Sequence, residues 1–107
     1  MTEHEKQLDL FIQNLQNQNF YDAHEDLELL WYKRRFEESD EVKLLKGFIN
    51  ASVCFELYKK GKTEASQKVW NTYLKYRDLI HTTDSVHKEK YSAIIDEIEK
   101  IKKSFIK

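Results

Sequence analysis

The chain has 107 residues, of which 40% are hydrophobic and 13% aromatic, with 18 Lys+Arg balanced against 19 Asp+Glu. One domain of this length can bury a substantial core, and a near-zero net charge argues against a dedicated nucleic-acid binder, which needs a basic surplus or stripe. With no Pro and only two Gly, the turn residues that an all-β fold demands are missing, so the reading is all-α: one helical domain over residues 1–107, a bundle of about five helices.

The first helix is predicted from about Glu3 to Gln16, with Leu8, Phe11, Ile12 and Leu15 at helical spacing. Asn17, Gln18 and Asn19 break it. Asn19 is positioned to cap the second helix through its side-chain oxygen, with Asp22 in the acid-favouring first turn. That second helix is predicted from about Phe20 to Glu37. Ser39 and Asp40 then offer a new N-cap for a third, from about Glu41 to Lys60, which Gly61 ends in a left-handed conformation. Leu44, Leu45, Phe48, Ser52 and Phe55 make one face of this third helix, while Gly47, Asn50, Cys54 and Leu57 occupy much of the opposite side. A helix with so little charge around it belongs in the middle of the bundle, and Gly47 and Ala51 permit close backbone approach.

Thr63 is predicted to cap a fourth helix reaching about Ile80, with Ala65, Val69, Trp70, Tyr73 and Leu74 inward. Thr82, Thr83 and Asp84 open a fifth, whose Tyr91, Ile94, Ile98, Ile101 and Phe105 alternate in spacing between three and four. Such a seam suits docking onto the chain's own bundle; a short coiled-coil homodimer is the alternative. The basic runs Lys33–Arg35 and Lys102–Lys103 sit beside Glu37, Glu38, Glu97 and Glu99, which reads as solvated helix surface. No nucleic-acid partner is expected.

The second helix carries a polar insertion in its apolar stripe. Phe20, Leu27 and Trp31 define its inward direction, and His24 falls within about 40° of it on a helical wheel. Glu28 lies one turn further along and can touch His24, whereas Glu25 points away beyond Tyr21 and Tyr32. A buried imidazole needs partners for both nitrogens. With helices two and three antiparallel, Glu56 or Ser52 would supply one, Arg34 and Arg35 the countercharge, and Asn50 a more distant contact. The candidate site is therefore His24, Glu25, Glu28, Trp31, Asn50 and Glu56.

The same stretch, Phe20-Tyr21-Asp22-Ala23-His24-Glu25 followed by Leu27, Glu28 and Trp31, resembles the signature of the prokaryotic domain of unknown function 309 family. Gly47, Phe48, Ile49, Ala51 and Gly61 resemble its second block. The resemblance covers about Leu15 to Leu74 and implies a small all-helical bundle without an established activity. The chain departs from the family pattern at four positions. Gln18 stands where that pattern has Gly, Asn50 where it has Gln, Leu57 where it usually has a second His, and Lys62 where it has Asn.

Without that second His, the ligand set for a divalent metal shrinks to His24, Glu25 and Glu28. His4, His81 and His87 have no ligand spacing with His24, and the two-histidine zinc-hydrolase pattern is absent. The lone Cys54 excludes an intramolecular disulfide or a cysteine zinc array, and its apolar surroundings predict a buried, unreactive thiol. No nucleophile has a base-and-orienter arrangement. The N-terminal stretch is polar rather than signal-like and no apolar run could span a bilayer, so a cytoplasmic protein that neither crosses nor binds a membrane is expected. Two readings remain. The first is a non-catalytic structural or protein-interaction module with a buried His/Glu network, needing no cofactor, whose partner is another protein or a second copy. The second is a small-ligand or divalent-metal site, with hydrolysis as its chemistry, between helices two and three.

Overall fold

The computed structural model describes residues 2–105. They form five α-helices, α1 (Glu3–Gln16), α2 (Phe20–Arg34), α3 (Asp40–Lys59), α4 (Thr63–Arg77) and α5 (Lys88–Phe105), with a short 3₁₀ segment, Asp78–His81, after α4. Among the described residues there is no strand. The all-α bundle read from composition is the observed architecture.

Ten of the 20 residues of α3 are buried, from Val42 through Phe55, so this helix is the axis around which the others pack. Its neighbours run in a defined sense. The Phe20 ring lies 5.2 Å from that of Phe55, while Arg34 reaches Glu41 at 2.9 Å, so α2 is antiparallel to α3. α5 is parallel to it: Tyr91 bonds Glu41 at one end, and Phe105 packs on Phe55 and Tyr58 at the other. At Gly47 a Cβ would lie 2.7 Å from the Cβ of Tyr76. Glycine is therefore required there for α4 to seat against α3. The α5 seam faces inward, with Tyr91, Ile94 and Ile98 fully buried in the chain's own bundle.

Several element ends differ from expectation, each for a local reason. Asn19 makes no side-chain cap; α2 instead starts on the Ala23 N–H bond to the Asn19 carbonyl and on burial of Phe20. α2 stops at Arg34 rather than Glu37. The Arg34 guanidinium donates to both carboxylate oxygens of Glu37, at 2.9 and 3.0 Å, and fixes the reversal ahead of the Ser39 cap, which accepts from the Val42 N–H. Thr63 is the first residue of α4, not its cap. On α4 Trp70 and Tyr73 are buried as expected and Val69 and Leu74 pack half-buried against the core, while Ser66 joins them inside and Ala65 is only half-buried. Ser66 turns in because its hydroxyl donates to the Cys54 carbonyl at 2.9 Å, which leaves the Cys54 thiol to donate to Ser66 Oγ at 3.2 Å.

Thr82 and Thr83 do not open α5. Thr83 bonds back to the Leu79 carbonyl at 2.6 Å, and Thr82 reaches Asp40. They close the 3₁₀ turn instead, and α5 begins at Lys88.

Candidate functional site

The second helix places His24 at the edge of its buried face, between the fully buried Ala23 and Leu27. Its Nε2 lies 3.0 Å from Glu28 Oε2, the i,i+4 contact that the spacing predicts. The pair is not enclosed: the side chains are 23% and 46% exposed. A side-chain contact so placed contributes only about 0.3–0.5 kcal/mol. His24 Nδ1 points inward, buried and without a hydrogen-bond partner among the described residues.

The expected partners on α3 do not reach it. Ser52 donates to the Ile49 carbonyl at 2.8 Å. Glu56 has one oxygen, Oε1, buried and unpartnered, and the other 4.0 Å from Lys60 Nζ. Asn50 bonds the Lys46 carbonyl one turn back. Half-buried Trp31 takes the Lys46 ammonium on its ring face, 4.3 Å from the centroid. Arg34 is committed to Glu37 and Glu41, and Arg35 stacks on Tyr32 and Phe36, so neither acts as a countercharge to His24.

Glu25 is exposed, as the wheel predicts. It stands beside Tyr21 and pushes that phenol's pKa up by favouring the protonated form. Among the described residues no three His, Cys, Asp or Glu side chains are gathered so as to hold a metal ion. The set His24, Glu25 and Glu28 therefore does not fit one, because one member diverges from the other two. A cleft of about 250 Å³ does lie where α2 begins and α3 ends, lined by Gln18, Tyr21, Asp22, Glu56 and Lys60 among others, but His24 is not on its wall.

The family model described as domain of unknown function (DUF309) matches residues 8–69, more than half of the chain. The chain belongs to this family. No curated protein and no solved structure matches it. The DUF309 match takes in α1 from Leu8, all of α2 and α3, and the first half of α4. It contains His24, Glu28 and Glu56, and its description assigns them no role.

A second polar cluster, unforeseen in the sequence, straddles the end of the DUF309 match. Glu41 Oε2 accepts from Tyr91 Oη at 2.6 Å and from Ser85 Oγ at 2.7 Å, and its Oε1 meets Arg34 at 2.9 Å. Because the Tyr91 proton is given to Glu41, the His4 Nε2 contact at 2.8 Å must be a donation from His4 to Tyr91. The His4 ring stacks on His87, with centroids 4.2 Å apart. Burial works to raise the Glu41 pKa, yet the donors Tyr91, Ser85 and Arg34 outweigh it and hold the carboxyl below its ordinary value. Burial, then the neighbouring His87, lowers the pKa of His4. One carboxylate thus ties α2, α3, the segment before α5, and α5 together, with α1 joined through His4.

Proposed function

We propose that this DUF309 domain is a non-catalytic protein-interaction module whose contact surface is the outward face of α2. The observation that carries this reading is a run of large apolar side chains left in solvent on α2 and on the turn that ends it. Leu29, Tyr32 and Phe36 are 59, 57 and 85% exposed, at i, i+3 and i+7. Arg35 spreads its guanidinium over both aromatic rings, 3.6 and 4.5 Å from their centroids, and holds them in place. Tyr and Arg are the residue types enriched where proteins meet, and ordered aromatics lose little entropy on docking. The His24–Glu28 pair at the border of this face serves as a fastener on the helix rather than as an acid–base couple: it lies outside the nearby cleft, and among the described residues no nucleophile bonds to it.

Site-specific photocrosslinking tests the reading. A benzophenone side chain replacing Tyr32, irradiated in the native cells, should give a covalent adduct with a polypeptide. The adduct should disappear when Leu29→Asp is added. The same probe at exposed Asn71 on α4 serves as the control. Adduct yields at position 32 no higher than at position 71 would remove the proposal.

A further inference from the structure

The apolar face of α2 also has a charge order that says what covers it. Glu25 stands in the first half of the helix and Lys33 in the second, while Asp26, Glu28 and Arg34 are held by Asn14, by His24 and by Glu37 with Glu41. On the wheel, Tyr21, Glu25, Leu29 and Tyr32 lie within about 80° of one another, a strip about 17 Å long, and Phe36 follows in the turn after Arg34. Glu25 and Lys33 are exposed and, among the described residues, take part in no ion pair. A binder complementary to this strip offers apolar side chains with a cation opposite Glu25 and an anion opposite Lys33. The α2 strip itself, turned end for end, has that pattern.

We infer that α2 pairs with α2 of a second copy, antiparallel about a two-fold axis at Leu29, with Glu25 of each copy facing Lys33 of the other. This rests on the reading of α2 as the contact surface and names the occupant. Placing the axis at Leu29 sets residues 25 and 33 four positions to either side, so both charge pairs form at once. Such an isologous contact is the commonest oligomeric symmetry. Tyr32 of one copy, with Phe36 in the turn beyond it, then faces the partner copy's Tyr21-to-Glu25 half. A parallel arrangement would put acid on acid and base on base, which is unfavourable. α5 cannot supply the interface through its apolar seam, because Tyr91, Ile94 and Ile98 are spent inside the monomer. One helix strip per copy is small for an interface, which places the pair among weak, concentration-dependent dimers.

Sedimentation velocity of the purified full chain, from low to high micromolar concentration, decides the matter. The wild-type chain should move from monomer to dimer over this range. Glu25→Lys should weaken association by about tenfold. The combined exchange, Glu25→Lys with Lys33→Glu, should bring it back to within about threefold of wild type, since the complementarity is then restored with reversed sign. Both residues lie on the surface, and unchanged circular dichroism melts would show that the variants remain folded. A chain that stays monomeric throughout, or a dimer indifferent to all of these changes, overturns the pairing. A monomeric chain that still crosslinks in cells to a different protein overturns only the second copy as occupant, leaving the interaction reading in place.

Discussion

Gln18 holds φ at 60°, in the left-handed region that residues with a Cβ seldom occupy. It does so because the chain must reverse between α1 and α2 while its N–H still bonds the Leu15 carbonyl at 3.1 Å. Gln18→Gly should therefore raise stability by about 0.5–1 kcal/mol, the relief of backbone strain exceeding the extra freedom glycine gives the unfolded chain. Urea unfolding would show this as a higher midpoint at unchanged slope, and a lower midpoint would contradict it. His24 teaches a complementary lesson. Its inward bias and its contact with Glu28 follow from helical spacing alone, so both were legible in the sequence. That Glu56 and Ser52 fail to meet it was not. Ser52 satisfies its hydroxyl on its own helix, a local choice that periodicity cannot register.

At the scale of the helices, number and order were readable because long apolar periods ran without Pro and with Gly only at two telling places. Gly61 ends α3 at φ +79° as glycine's freedom allows, and Gly47 marks the closest helix approach. The ends were less legible, since Thr63, Thr82 and Thr83 each have the chemistry of a cap but are used otherwise. The α3–α4 contact makes a sharp prediction. Gly47→Ala should gain about 1 kcal/mol from helix propensity. It should nevertheless lose more, a net destabilisation of about 1–3 kcal/mol, because the new methyl meets the rigid Cβ of Tyr76 rather than a movable side-chain tip. A variant at least as stable as the parent in chemical denaturation would show that α4 can retreat at little cost.

Across the whole molecule, the cluster around Glu41 was invisible beforehand. Residues 4, 34, 41, 85 and 91 share no local pattern, and only tertiary packing assembles them. It makes stability depend on pH. His4 has its pKa lowered from 6.5 by burial, so the fold prefers the neutral ring; its contribution is complete above pH 6.5 and declines as pH falls below that value. Glu41 is lowered from 4.5, so its contribution is complete above pH 4.5 and is lost as pH falls through the folded-state value. Asp26, raised by burial, opposes the second loss in part. Urea midpoints measured from neutral pH downward should therefore fall in two stages, and Glu41→Gln should shrink the lower one, to which Glu37, held below its ordinary value by Arg34, also contributes. A profile level down to pH 4 would rule out this account.

The central position of α3 bears on how this chain should be handled in the laboratory. The matched block ends at residue 69, yet the side chains that close over the far flank of that helix, Trp70, Tyr73, Tyr91, Ile94 and Ile98, all come later. Excising the block at its statistical border would strip the axis helix along one side and leave a sticky fragment rather than a domain. The unit to express extends through Phe105.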